Sequence, residues 1–368
     1  MEKQIQVKMH PFSSTIISWY KKNARDLPWR QSNDPYVIWL SEIILQQTRI
    51  AQGLPYFHRL LEAFPTVQDL ANAEEALLFR NWQGLGYYSR ARNLHQTAKY
   101  IANELGGVFP QKYQDLIQLK GVGPYTAAAI ASFAFNEAKA VVDGNVYRIL
   151  ARFFAIETDI SHSSARKIFT ELADELIPHE FPAEFNQAIM EFGSLQCAPA
   201  PLCETCPLQK ECKAFSLKRV KDFPVKLKKT KQRDRFFNYF IVEKAGKILV
   251  RKRTEKDIWQ GLFEFYLMES AKKTTLDGLM EKDDFLRMIP QAILPLKSPA
   301  VHILSHQKIH TQAWHVQISD NFMGEIPSNY EWMSPKDFEK QGKSVLLLNL
   351  ITDNMHLGIF QDDSVAYL

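Results

Sequence analysis

Two carboxylic acids and four thiols have the residue types and spacing to do chemistry in this chain. Glu42 interrupts the apolar run Pro35-Tyr-Val-Ile-Trp-Leu-Ser-Glu-Ile-Ile-Leu-Gln-Gln-Thr48. A carboxyl held among apolar neighbours loses hydration, which raises its pKa toward the range of a general acid. The alternative is a glutamate on the solvent face of the same helix. Asp143 stands in Val141-Val-Asp-Gly-Asn-Val, at the start of an expected helix, where it can be an N-cap or a catalytic carboxylate. All four cysteines, Cys197, Cys203, Cys206 and Cys212, fall in one C-x5-C-x2-C-x5-C segment of an otherwise cysteine-free chain. That grouping points to a metal centre rather than a disulfide framework. Zinc and an iron-sulfur cluster both accept four thiolates, and the single C-x2-C pair favours a cubane cluster.

The elements that must position these groups follow from pattern. The stretch Leu119-Lys-Gly-Val-Gly-Pro-Tyr-Thr-Ala-Ala-Ala-Ile-Ala predicts two helices, Tyr113 to Leu119 and Tyr125 to Phe135, joined by a tight glycine turn. Amides at the start of the second helix, backed by its dipole, form a phosphate site at Gly121, Val122 and Gly123. An ordinary helical corner is the competing reading. Ile16 to Asn23 reads as an amphipathic helix, followed by the irregular loop Arg25-Asp-Leu-Pro-Trp-Arg30. Pro35 to Thr48 reads as a helix with Val37, Leu40, Ile44 and Leu45 at core spacing. A second glycine turn, Asn81-Trp-Gln-Gly-Leu-Gly-Tyr-Tyr-Ser-Arg-Ala-Arg92, carries aromatics and arginines suited to stacking against bases, with Trp82 itself expected in the core.

With 368 residues the chain has room for two or more domains, and its 46% hydrophobic content is that of a globular protein. No apolar run approaches the roughly 20 residues of a membrane span. Met1 to His10 lacks the apolar core of a secretion signal, so a cytoplasmic protein is expected. The net charge of +4 is modest, but Lys218, Arg219, Lys221, Lys226, Lys228, Lys229, Lys231, Arg233 and Arg235 are opposed locally only by Asp222 and Asp234. Such a run reads as a linker able to lie along a polyanion, or as a solvated connector.

Taken together, the glycine hairpin, the following Asp143, the helix-borne Glu42 and the four-cysteine loop resemble the endonuclease III superfamily of base-excision glycosylases, and in detail its adenine DNA glycosylase (MutY) branch. The likeness runs from about Ile16 to Lys213. It implies an all-α helix-hairpin-helix glycosylase domain with one 4Fe-4S cluster on Cys197, Cys203, Cys206 and Cys212. This chain has five residues between its first two cysteines, where the family usually has six, and that loop lacks the basic residues relatives turn to DNA. Lyase-competent relatives carry a lysine at the position of Tyr125, so a monofunctional enzyme is implied.

The resemblance assigns residues as well. Glu42 would protonate adenine and Asp143 would stabilise or trap the sugar cation, two carboxyls in different environments dividing two roles. Tyr125 would hydrogen-bond near Asp143, and Asn145 would orient it. Arg25, Trp29, Arg30, Leu45 and Gln187 would line the adenine pocket. Gln47, Thr48, Leu85 and Tyr87 would fill or wedge the base stack beside the lesion. The implied partner is duplex DNA with adenine opposite 8-oxoguanine or guanine, bound by a monomer in the cytoplasm, associated with the nucleoid. No membrane is involved, and downstream repair proteins remain unidentified partners.

After the basic run, Phe236 to Val242, Lys247 to Arg253 and Leu262 to Leu267 read as strands, the first two joined at Lys244-Ala-Gly. A helical segment Asp283 to Met288 precedes strands near Ala300 to Ser305 and Ala313 to Ile318. This order, with Trp259-Gln-Gly-Leu-Phe-Glu-Phe265, resembles the Nudix-like α+β C-terminal domain of adenine glycosylases. It lacks the Arg-Glu-x-x-Glu-Glu cluster a Nudix hydrolase needs for magnesium, so binding without hydrolysis is expected. Leu304-Ser305-His306 matches the loop that touches the oxidised guanine, although many members have Phe at the position of Leu304. The expected domains are 1–216, helical, with the cysteine loop at 197–212; 217–235, basic linker; and 236–368, Nudix-like. A glycosylase-lyase acting on oxidised pyrimidines and a non-catalytic DNA-binding protein are the competing readings. Tyr125 and the C-terminal domain weigh against the first, Glu42 and Asp143 against the second.

Overall fold

The computed structural model describes residues 9–227, 232–289, 293–298 and 301–360. Lys228, Lys229 and Lys231 of the basic run, most of Met1 to His10, and Ala300 of an expected strand lie outside the described residues. The chain divides into two compact units. One holds Met1–Arg49, Thr66–Gln68 and Gln96–Lys229, the other Ile50–Pro65, Asp69–His95 and Thr230–Leu368.

In chain order the helices are α1 Pro11–Asn23, α2 Pro35–Leu45, α3 Ile50–Ala63, α4 Val67–Asn72, α5 Glu75–Trp82, α6 Ser89–Glu104, α7 Tyr113–Leu116, α8 Pro124–Phe135, α9 Gly144–Phe154, α10 Ala165–Leu176, α11 Pro182–Leu195 and α12 Lys213–Ser216. Proline occupies the first turn of α1, α2, α8 and α11, where its missing N–H costs nothing. α1 starts five residues before the expected Ile16, because Pro11 and the His10 ring, accepting from the Phe12 amide at 3.1 Å, form a cap. α2 is apolar almost all round and therefore buried almost all round: Ile38, Trp39, Leu40, Ile43 and Ile44 are core residues. Of its expected core positions Leu40 and Ile44 are buried, whereas Val37 and Leu45 are half-buried. The helix ends at Leu45 rather than Thr48, since Gln47 turns the chain at φ 56°.

The first unit packs α1 against α11 and α9 against α11 and α12, around Phe12, Ile16, Leu150, Phe169, Phe185 and Phe192. α9 and α11 approach closely at Gly193, where an added Cβ would lie 2.7 Å from the Asn145 Cβ. In the second unit Trp82 is fully buried, as its expected core role requires.

The strands of the second unit are β1 Arg233–Lys244, β2 Lys247–Lys252, β3 Phe263–Ser270, β4 Ile293–Pro295, β5 Val301–Ile303, β6 Gln307–Gln317 and β7 Glu331–Met333. They form one mixed sheet in the order β4-β6-β1-β3-β2-β7, with β5 also paired to β6. β1 and β6 run parallel from Arg233↔Gln307 to Glu243↔Gln317, and the other pairings are antiparallel. The β1–β2 hairpin turns on Ala245 and Gly246, both at positive φ, as a two-residue hairpin loop demands. Helices α13 Leu276–Met280, α14 Asp284–Met288, α15 Pro335–Glu339 and α16 Val345–Asp353 complete the unit. Phe237, Tyr239 and Ile241 on one face of β1 pack with Phe338, Leu346 and Leu350, while Phe240 and Val242 on the other pack with Leu286 and Trp314. This is the α+β arrangement the strand pattern predicts, with β1 and β6 longer than expected. Arg233 and Arg235 belong to β1 rather than to a free basic run, and Arg235 is buried against Glu269 and Asp257.

Candidate active site

α2, the start of α8 and the start of α9 meet at a cavity of about 620 Å³, lined among others by Glu42, Leu45, Gln46, Gln47, Tyr125, Thr126 and Asp143. The run of small residues Ala127, Ala128, Ala129 and Ala131 lets α8 lie close to α2, and all four are buried. Gln46 Nε2 donates to Thr126 Oγ1 at 3.1 Å, tying the end of α2 to α8 between two lining residues of the cavity.

Glu42 is 6% exposed. Burial lifts its pKa to about 7, opposed by a hydrogen bond from Tyr125, raised further by the Asp143 charge and lowered by Arg30. The solvent-face alternative is thereby excluded, and holding the carboxylate form there costs roughly 3 kcal/mol. The Tyr125 hydroxyl, 3.6 Å from Met190 Sδ, has its own pKa pushed well up, chiefly by burial and then by Glu42 and Asp143.

Asp143 is the N-cap of α9. Its Oδ1 accepts from the Asn145 and Val146 amides at 2.8 Å each, and its Oδ2 accepts from Asn145 Nδ2 at 2.8 Å. Burial raises its pKa, and these hydrogen bonds together with Arg148 restrain the rise. Capping uses one oxygen, the other is held by Asn145, and the residue lines the cavity. Asn145 is held in turn by Arg148, whose Nη2 donates to Asn145 Oδ1 at 2.8 Å and to the Gly193 carbonyl at 2.7 Å. Arg148 Nε reaches the Cys197 carbonyl at 2.8 Å. Asn186, fully buried, pins the approach to Asp143 by accepting from the Val141 amide and donating to Ser132 Oγ and the Lys139 carbonyl.

The residues implied as an adenine pocket divide. Leu45 lines the cavity. Arg25 and Arg30 converge instead on Glu191 of α11: Arg25 Nε and Nη2 donate to its two oxygens at 2.7 Å each, and Arg30 Nη2 donates at 2.8 Å. Burial acts to raise the Glu191 pKa, but the two guanidinium groups outweigh it and hold it near 2. Gln187 accepts from the Tyr20 hydroxyl at 2.9 Å, with the Arg30 guanidinium 5.6 Å from that ring, and Trp29 is buried. Gln47 is exposed and Thr48 half-buried. Glu191, Asn186 and Arg148 were not singled out from sequence. An acid in the apolar helix α11 is the signal that marks Glu191, and Arg148 is marked by its pairing with Arg152, one helical turn on along α9.

The expected glycine turn is present. Gly121 adopts φ 77°, Val122 is buried, and Gly123 caps α8 without any side chain serving its first amides. The first helix of the pair is shorter than expected, Tyr113–Leu116. Thr97 Oγ1 donates to the Lys120 carbonyl at 2.7 Å and anchors the turn.

The four cysteines surround a small cavity shared with Arg152, Pro201, Leu202, Phe215 and Val220. Arg152 threads the loop, donating to the carbonyls of Ala198 at 2.7 Å and Pro199 at 3.1 Å, and its Nη1 lies 3.4 Å from Cys197 Sγ. Burial pushes the Cys206 thiol up to about 11 and raises Cys203 and Cys212, with the neighbouring sulfurs adding to the shift. Among the described residues no three His, Cys, Asp or Glu side chains gather as ligands of one metal ion.

In the second unit the turn before α6 and the turn between β5 and β6 carry the residues implied as lesion contacts. Arg90, buried beside Trp82, donates to the Leu85 and Gly86 carbonyls at 3.3 and 3.2 Å and sets the first turn. Leu85 is buried there, whereas Tyr87 stands exposed at φ 50°. The Tyr87 hydroxyl is hydrogen-bonded to Ser305 Oγ, so two residues far apart in sequence meet. Ser305 and His306 are exposed and Leu304 is half-buried. Among the described residues no helix is long and apolar enough to cross a membrane.

Comparison with known proteins brings further findings. The family model described as HhH-GPD superfamily base excision DNA repair protein matches residues 40–175, and the NUDIX domain model matches residues 238–352. The mouse protein named adenine DNA glycosylase is 32% identical, over 89% of this chain and 74% of its own. The human one is 31% identical over 91% and 72%, and that of Buchnera aphidicola subsp. Acyrthosiphon pisum 35% over 74% and 78%. Among solved structures, a thermostable thymine-DNA glycosylase superposes with a TM-score of 0.52 at 31% identity, over 56% of this chain and 95% of its own.

Proposed function

Because this chain belongs to the adenine DNA glycosylase family, we propose that it excises adenine paired with 8-oxoguanine, and also with guanine, from duplex DNA by extruding the base and hydrolysing its N-glycosidic bond. That it is a DNA glycosylase, a hydrolase of N-glycosyl bonds in base-excision repair, follows from the family. The observation that carries the mechanism is the pairing on one cavity of a neutral-range acid, Glu42, with a capped carboxylate, Asp143.

Glu42 donates its proton to adenine N7, so the N9–C1′ electron pair leaves on a neutral base. Positive charge develops on the sugar, and the Asp143 carboxylate stabilises it or closes on it; water then completes hydrolysis and leaves an abasic site. Tyr125 holds Glu42, and Asn145 aims Asp143. Leu45, with Trp29, Arg25, Arg30 and Gln187, receives the base. The Gly121-Val122-Gly123 turn takes a phosphate of the same strand, and Gln47, Thr48, Leu85 and Tyr87 occupy the stack. Leu304, Ser305 and His306 read the oxidised guanine, whose N7–H and O8 distinguish it from guanine.

Cys197, Cys203, Cys206 and Cys212 would hold one 4Fe-4S cluster. Four half-buried thiols around a shared space are a donor set that fits such a centre, one thiolate for each iron. When bound, the cluster supplies iron–thiolate bonds that staple the loop. The division 1–216, 217–235 and 236–368, a monomeric state, and a cytoplasmic, nucleoid-associated location belong to the same proposal.

The pH profile of base release tests the acid. Glu42 is protonated below about pH 7, so single-turnover release should fall as pH rises through that value. On the acid side it should fall as Asp143 protonates, above the ordinary aspartate range. A rate flat through neutrality and beyond removes Glu42 as the proton donor. Ser305→Ala should reduce the preference for 8-oxoguanine over guanine opposite adenine by about five- to tenfold, the loss of one good hydrogen bond. An unchanged preference takes Ser305 out of the recognition set.

A further inference from the structure

The Leu304-Ser305-His306 turn is short and exposed, yet it is held from beneath by a buried charge network that the catalytic account leaves unused. Gln307 follows the turn and is 4% exposed. Its Oε1 accepts from Arg235 Nη1 at 3.1 Å. Arg235 is itself 7% exposed and fixed on three sides: Nε and Nη2 donate to Glu269 at 2.7 and 2.6 Å, Nη1 donates to Asp257 at 3.0 Å, and the guanidinium lies 4.8 Å from the Phe237 ring. Two further bonds tie the turn to the start of β1. The Leu304 carbonyl accepts from Gln232 Nε2 at 3.0 Å, and the His306 carbonyl from the Arg233 amide at 3.1 Å.

We infer that Arg235 acts through Gln307 as a positioning pair that sets the turn carrying Ser305, and so determines discrimination between 8-oxoguanine and guanine without touching either base. A hydroxyl reads a donor–acceptor pattern only if its carbon is fixed, because a freely moving turn offers the same hydrogen bond to water. The buried guanidinium supplies that rigidity. Its own position is set by two carboxylates, and it presents one N–H to the first residue after the turn. The effect falls on lesion preference and leaves the chemistry at Glu42 and Asp143 alone. Ser305 is assigned to the oxidised guanine only by the function proposed above, so the test carries its own control for that assignment.

The experiment compares single-turnover adenine release from duplexes with 8-oxoguanine or guanine opposite, using the full chain. Gln307→Met removes the acceptor at nearly constant volume and should lower the preference about tenfold, with release opposite guanine unchanged. Gln307→Glu keeps an acceptor for Arg235 and should restore the preference to within about twofold. Glu269→Gln, at a partly exposed position, weakens the grip on the same Arg235 guanidinium, should lower it about threefold and carries the test alone if Gln307→Met does not fold. Wild-type preference in Gln307→Met, or equal loss in the Met and Glu variants, overturns the positioning role. With Gln307→Met unfolded, an unchanged Glu269→Gln overturns it too. If Ser305→Ala alone leaves the preference unmoved, the lesion-contact assignment fails instead.

Discussion

Glu42→Gln is expected to reduce adenine release by about 10²- to 10⁴-fold, the contribution of a positioned general acid, while affinity for the mismatch stays within a few-fold of wild type. The amide keeps the shape of the side chain and its bond to Tyr125 but has no proton to give to N7. Rate loss can therefore be separated from misfolding by a second readout, stability against pH. The wild-type carboxyl has a folded pKa of about 7, above its unfolded value, so the stability associated with its neutral form is present below the unfolded pKa and is lost as pH rises through about 7. Glutamine removes this dependence, and the variant should be the more stable of the two at alkaline pH. Release at a wild-type rate in a folded Glu42→Gln protein contradicts the acid assignment.

Asp143→Asn should be comparably severe, about 10³-fold or more, because it removes the carboxylate assigned to the developing sugar cation. Asparagine is a competent N-cap, so α9 keeps its two amide bonds and the fold survives. The remaining side-chain atom is then an amide NH2 directed at the Asn145 NH2, donor against donor where Oδ2 now accepts at 2.8 Å. Rate loss with preserved mismatch affinity is the expected pattern. Loss of binding with the fold preserved would move Asp143 from the chemistry to DNA docking.

What sequence could reveal here depended on whether the cause was local. The glycine hairpin, the Asp143 cap and the cysteine loop are short-range devices, and they stand where pattern placed them. The burial of Glu42 was legible only as one of two alternatives, since a glutamate in an apolar run faces the core or solvent according to what packs on it, and α8 decides that. Arg25 and Arg30, implied as lining the adenine pocket, are held by Glu191, which lies more than 160 residues away and so carries no local signal. Arg235 read as part of a basic tether, but β1 extends to Arg233 and turns that side chain onto Glu269 and Asp257. Helix α2 ends before the expected Thr48 because Gln46 leaves the helical backbone and Gln47 takes a left-handed one that no local signal announces. The bond between Tyr87 and Ser305 is likewise a product of tertiary folding alone.

The central claim is acid-assisted hydrolysis of the adenine glycosidic bond without a lyase step. It is tested most directly by a single-turnover assay on a duplex carrying one adenine opposite 8-oxoguanine, scored for strand breaks before and after hot alkali. Breaks that appear only after alkali are the predicted result, because release leaves an intact abasic site and Tyr125 offers no amine to attack it. Breaks without alkali would contradict the monofunctional mechanism, and no release under either condition would leave a protein that binds DNA without acting on it.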